Sequence, residues 1–268
     1  MKHVKNWTKT IKRNISKKYK YAKENHVFQK YCENNVIFLT YVITCVLNAT
    51  LLRILTKQTW ENVLSIKAII ADTAVVTLIG AFGYLFKPKN RFLYFFIAEI
   101  FFTAICVINS VYYTFYTSYA SVSMLSLTQY LGEVGDAVVE NVIQIKDLVY
   151  ILGPIILLFV HLKAKKKNYY KRVELKSERK KKTLKTLGFS ATLAVIFLVT
   201  MSSLDVSRFI KQWNKEYIVM RYGIFVYQAN DLISSIQPKI NSMFGYDKAK
   251  KEFDDYFVDR TDMRELND

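Results

Sequence analysis

Five stretches of this chain are apolar for long enough to cross a bilayer, and that limits the fold before any other feature is weighed. A hydrocarbon core of about 30 Å takes roughly 20 helical residues at about 1.5 Å each. The stretches run from Val36 to Leu55, Ile66 to Phe86, Phe92 to Tyr116, Asp147 to Leu162 and Thr186 to Leu204. Lipid offers no partner for a bare backbone, so each stretch must be a helix. The expected fold is an all-α membrane protein of five transmembrane helices plus extracellular interfacial helices. The fourth stretch carries Gly153-Pro154, where a kink is expected and is tolerable if neighbouring helices satisfy the freed carbonyl.

Charge orients the bundle. Most of the 39 lysines and arginines fall in residues 1–35, in the turn Lys87 to Arg91 and in Lys163 to Lys185. By the positive-inside rule these segments face the cytoplasm, which puts the N-terminus there and, after five spans, the C-terminus outside. From Asp205 onward acidic and basic residues nearly balance, in keeping with that topology. The net charge of +17 would suggest a nucleic-acid partner in a soluble protein. Here basic loops beside the spans, meeting an anionic leaflet, account for it, and no nucleic acid is expected.

The chain divides into three regions. Residues 1–35 form a basic cytoplasmic arm, in which Val4, Trp7, Ile11, Ile15 and Tyr19 recur at the spacing of an interfacial helix. Residues 36–204 form the five-span domain. Residues 205–268 form an extracellular juxtamembrane helix and a linker. The first span ends in no small-residue cleavage site, so it is expected to remain as an anchor.

Catalytic signatures are missing from the sequence. Cys32, Cys45 and Cys106 suggest no disulfide framework, and His3, His26 and His161 are too scattered for a metal site. There is no Gly-rich phosphate loop, no G-x-S-x-G elbow and no CxxC. Neither a catalytic residue nor a metal ligand is assigned to this chain.

The intramembrane charges are the candidate contacts for a lipid or its headgroup: Arg53 near the outer end of span one, Asp72 about two turns into span two, and Glu99 deeper in span three. A charge at mid-bilayer costs about 2.5–3.5 kcal/mol on insertion scales, which demands a partner or access to water. Two readings of Arg53 stand: it holds a lipid phosphate, or it reaches outward and pairs with Asp72. Thr44, Asn48 and Asn109 are candidate partners for Glu99.

Two connecting segments also carry pattern. In Thr117 to Lys146, Met124, Leu125, Leu127, Tyr130, Leu131 and Val134 cover one helical side, with Glu133, Asp136 and Glu140 beyond, as in a helix lying over the bundle. In Trp213 to Ile236, Ile218, Tyr222, Phe225, Val226, Ala229, Leu232 and Ile233 share a face interrupted at Gly223. So much apolar surface outside the membrane must lie on lipid or against another domain. Tyr222, Phe225 and Leu232 are the candidate coupling residues.

Ile108 to Tyr119 (INSVYYTFYTSY), Met124 to Gly135, Lys146 to Tyr150 (KDLVY) and Lys215 to Leu232 (KEYIVMRYGIFVYQANDL) together resemble the membrane half of the lipoteichoic acid synthase family. The resemblance runs through the whole chain in order and spacing. It implies five spans, an extracellular linker and then a sulfatase-like catalytic domain, in the membrane of a bacterial cell. It also implies a phosphoglycerol transferase that takes its donor from phosphatidylglycerol, with a threonine nucleophile and a manganese ion in the catalytic domain. A metal supports such chemistry by lowering the hydroxyl pKa and neutralising phosphate charge. No counterpart of those ligands is present, so the chain is expected to be the truncated membrane half of a longer enzyme, or else a free-standing homologue of that half. The alternative is a stand-alone scaffold or a binding or transport protein.

Overall fold

The computed structural model describes residues 34–57, 63–121, 144–166, 174–211 and 214–236. Residues 1–33 of the basic arm, the patterned stretch from Met124 to Glu140, and the linker beyond Ile236 lie outside these residues. Among the described residues all regular structure is helical, and five helices are long and apolar enough to cross a membrane. The protein is therefore an all-α membrane protein.

The spans are α1 (Val36–Leu55), α2 (Ile66–Phe82, extended by a 3-10 turn, Gly83–Leu85), α3 (Pro88–Tyr116), α4 (Leu152–Lys166, preceded by a 3-10 segment, Ile145–Ile151) and α5 (Lys176–Val199). Beyond them come α6 (Ser203–Lys211), α7 (Lys215–Tyr222) and α8 (residues 224–236). We call the end that carries Lys87 to Arg91 the basic end and the opposite one the far end.

Two spans differ from the sequence expectation. The helix of α5 starts at Lys176, ten residues before its apolar stretch, because lysine and arginine are good helix formers whose heads reach away from lipid. In the fourth span Gly153-Pro154 sits in the first turn of α4. Proline has no N–H to donate, and the chain passes from 3-10 to α geometry just before it, at Ile151–Leu152.

Lipid tails are as apolar as a leucine core, so helices in a membrane associate through close packing and hydrogen bonds. The α2 helix supplies both. It buries Ala68, Ala71, Ala74, Gly80 and Ala81, which lets α1 and α5 approach closely. At Gly80 a β-carbon would lie 2.8 Å from the Tyr41 ring and 2.9 Å from that of Phe38. Across the other side Ser190 of α5 donates to the Ala74 carbonyl at 2.8 Å. Phe38, Tyr41, Tyr84 and Phe95 fill the space between α1, α2 and α3 with ring centroids 5.3–6.4 Å apart. Ile97, Ile100, Phe101 and Ile108 of α3 stay exposed, as residues facing lipid should.

A charged clamp closes the basic end. Glu174 accepts from Arg91 Nη2 at 2.7 Å and from Lys182 Nζ at 2.6 Å, joining the start of α3 to that of α5. Burial alone would raise the Glu174 pKa, but these two cations outweigh it and hold the carboxyl below its ordinary 4.5. A depressed carboxyl adds stability that is full above the unfolded value and is lost as pH falls through the lower folded one. Thermal unfolding of the wild type should therefore fall in temperature below about pH 4.5, whereas Glu174→Gln should start lower by about 2 kcal/mol and lack that acid step. An acid step of equal size in the variant would contradict the assignment.

Candidate functional site at the far end of the bundle

The far end is organised around Asp72. The α2 helix carries this carboxylate into the bundle, where it is fully buried. Its Oδ1 accepts from the backbone N–H of Phe225 at 2.9 Å, and the N–H groups of Ile224 and Val226 surround the same carboxylate. These N–H groups open α8, where the first turn of a helix has no internal acceptors and the dipole favours an anion. Asp72 thus caps a helix that begins about 150 residues later in the chain.

Gly223 makes the approach workable. Its φ is +100° and its ψ 154°, a region that is in effect reserved for glycine. A β-carbon here would lie 2.6 Å from Asp72 Cγ. Just beyond, Phe225 packs on Phe102 of α3 with centroids 4.5 Å apart.

From that point α8 runs alongside the far-end half of α3. Gln228 donates to Asn109 Oδ1 at 3.2 Å and to the Ala120 carbonyl at 2.9 Å. Asp231 accepts from Ser121 at 2.8 Å. Contacts at positions 102, 109 and 121 are met in turn by 225, 228 and 231, so the segment dips among the spans at Gly223 and rises again.

The helix expected over Trp213 to Ile236 is therefore two helices, and the bundle itself covers the first part of its apolar face, at Ile218, Tyr222 and Phe225, while Leu232 and Ile233 stay exposed. Of the candidate coupling residues, Tyr222 and Phe225 are buried in this contact, while Leu232 is 44% exposed. Tyr222 also meets the rings of Phe197, Phe209 and Tyr217. Trp213 lies outside the described residues.

Asp205 stitches the same end together. With Ser202 it forms reciprocal caps at the start of α6, and its oxygens lie 3.6 Å from Lys67 and 3.7 Å from Arg221. Burial would raise this carboxyl, but the Tyr222 hydroxyl, the Ser202 N–H, Arg221 and Lys67 together hold it below its usual value.

Arg53 neither reaches out to solvent nor forms a close ion pair with Asp72. It is completely buried, with Nη2 donating to Thr50 Oγ1 at 3.1 Å, and its Nε and Nη1 have no hydrogen-bond partner. Glu99 lies deeper and is also fully buried. Its Oε2 accepts from Thr44 at 2.9 Å and from the Cys45 thiol at 3.1 Å. The Thr44 contact agrees with the sequence reading, but Asn48 and Asn109 bond elsewhere. The Cys45 contact was not expected from sequence, although Cys45 directly succeeds Thr44.

Gly153 of α4 closes over Glu99. A β-carbon would lie 2.6 Å from Glu99 Oε1 and 2.9 Å from Asn48 Nδ2. Gly153→Ala should overpack the site and lower stability by about 1–3 kcal/mol. An unchanged melting temperature in detergent would show that α4 does not press on Glu99.

Among the described residues no group of His, Cys, Asp and Glu is arranged to hold a metal ion. Compared with known families, residues 9–244 match the lipoteichoic acid synthase N-terminal domain. The chain belongs to that family. No curated protein and no solved structure matches it. The family match extends over all five spans and over α7 and α8, so the docked segment is part of the shared domain.

Proposed function

We propose that this chain is the membrane-embedded part of a lipoteichoic acid synthase-like phosphoglycerol transferase. It anchors and orients an extracellular catalytic domain on its lipid substrate for the synthesis of a cell-envelope polymer. The observation that supports this most directly is the docking of residues 215–236 into the far end of the bundle through Asp72, Gly223 and Phe225. A linker that leaves a membrane domain freely sets no orientation for the domain attached to it. One that is capped from within span two and packed along span three does, and restricting orientation is a large part of what positioning contributes to catalysis.

In this reading the basic end faces the cytoplasm and the far end faces outward, at the bacterial cell membrane. Residues 1–35 are the cytoplasmic arm, 36–204 the span domain and 205–268 the outward segment. Phosphatidylglycerol is the proposed lipid partner, with Arg53, Asp72 and Glu99 as the proposed contacts for it. Manganese would belong to the catalytic domain.

The test uses the chain joined to its catalytic domain. Phe225→Asp and Leu232→Asp should each lower turnover of membrane-borne phosphatidylglycerol while sparing hydrolysis of a soluble phosphoglycerol ester. Phe225, being buried on Phe102, should have the larger effect. Equal losses on both substrates would argue against an orienting role.

A further inference from the structure

The α6 helix is held in one rotation about its own axis. Its buried side carries Asp205, which reaches Lys67 of α2 and Arg221 of α7, and Phe209, whose ring meets that of Tyr222 edge-on with centroids 5.8 Å apart. Residues four apart share a helical face, and each successive residue turns by about 100°. Val206 and Ile210 therefore form the adjoining stripe, and both are exposed. Arg208 and Lys211 are exposed as well and lie away from that stripe.

The level of α6 points to what covers the stripe. Only Thr200, Met201 and Ser202 separate it from the end of α5, where Leu198 and Val199 are exposed as lipid-facing residues. Lys67, at the start of α2, donates to the Thr200 carbonyl at 2.6 Å and ties this junction to a second span end. A short helix with apolar and cationic sides at the end of a span suits the membrane interface. Its charge selects the lipid. Lys67, Lys215 and Arg221 stand near Arg208 and Lys211, against Asp205 and Glu216, and Asp205 is already engaged by Lys67 and Arg221. Arg208 and Arg221 approach the ring of Tyr217 to 5.8 and 5.6 Å, and tyrosine is enriched at headgroup level.

We propose that α6 is an interfacial foot seated on anionic lipid of the far leaflet. Val206 and Ile210 enter the acyl chains, and Arg208 and Lys211 meet the headgroup phosphates. The partner is the charged lipid surface, without selection among anionic headgroups. Asn230 of α8 donates to the Phe209 carbonyl at 3.3 Å, so the foot also steadies the docked segment from the lipid side. That consequence rests on the orienting role proposed above, whereas the lipid contact requires only the five-span bundle.

Quenching of a bimane label tests the contact. Ile210→Cys is labelled in the full chain with its three native cysteines replaced, at one chain per nanodisc of phosphatidylcholine. The quenchers are phosphatidylcholine or phosphatidylserine with a nitroxide high on one acyl chain, and iodide in the water. Both lipids should quench the label and iodide should not, whereas a label at Ser207→Cys should be open to iodide. Phosphatidylserine should quench more strongly at equal mole fraction, by up to roughly fivefold for each cation that contributes.

Arg208→Gln with Lys211→Gln should bring the two lipids to parity. Arg208→Lys with Lys211→Arg keeps the charge and should keep the preference, which separates charge from a folding defect. Quenching of the Ile210 label by iodide instead of lipid would overturn the foot, and so would shielding from both, the sign of a protein cover. Equal quenching by the two lipids in the wild type, or a preference unchanged in the glutamine variant, would overturn the anionic partner. Each of these outcomes leaves the orienting role to be judged separately, by turnover of the Phe225 variant.

Discussion

Gly223→Ala should detach α8 from the bundle and lower the stability of the chain by about 3 kcal/mol. Two costs combine. At φ +100° and ψ 154° an alanine carries strain of about 1–3 kcal/mol. Its β-carbon would also drive Asp72 from the Phe225 N–H, and losing a helix cap costs about 0.5–2 kcal/mol. Thermal unfolding in detergent measures the sum, and hydrogen exchange at Phe225 reports the opened cap. Wild-type stability together with wild-type protection at Phe225 would show that Asp72 does not hold the segment.

Asp72→Ala should have an effect at least as large. It removes the cap of α8 and takes away the nearby negative charge from a wholly buried Arg53. An uncompensated buried charge costs about 3–5 kcal/mol. Asp72→Asn separates the two contributions, because asparagine caps helices about as well as aspartate but carries no charge. If capping dominates, the asparagine variant should stay near wild type. If compensation of Arg53 dominates, it should fall most of the way to alanine. Stability for Asp72→Ala within about 0.5 kcal/mol of wild type, by thermal unfolding in detergent, would contradict both roles.

The five spans were legible because a run of about 20 apolar residues has few alternatives to a transmembrane helix. Their edges were less so. Hydropathy sees the lysines after Lys176 as a reason to end a span, whereas the backbone continues its helix through them. Gly153-Pro154 reads as a kink in one dimension, and the structure places it in the first turn of α4, next to the change from 3-10 geometry.

The site was legible in its parts. Arg53, Asp72, Glu99 and Gly223 each stand out against their apolar or helical surroundings. The pairings stayed hidden, because the partner of Asp72 is the backbone of residues 224–226, and a backbone N–H has no signature in sequence. For the same reason the apolar face of 215–236 suggested lipid or another domain as its cover. The polar residues Gln228 and Asp231, in register with Asn109 and Ser121, were a hint that the bundle covers its first part.

The docking of α8 on α3 underlies the orienting role, and a cross-link tests it most directly. Asn109→Cys and Gln228→Cys, placed together in a chain whose three native cysteines are replaced, should be joined rapidly by a short thiol cross-linker in intact membranes, and Gly223→Ala should slow that reaction. A pair that fails to cross-link, while a control pair between α2 and α5 succeeds, would contradict the docked segment and with it the orienting role.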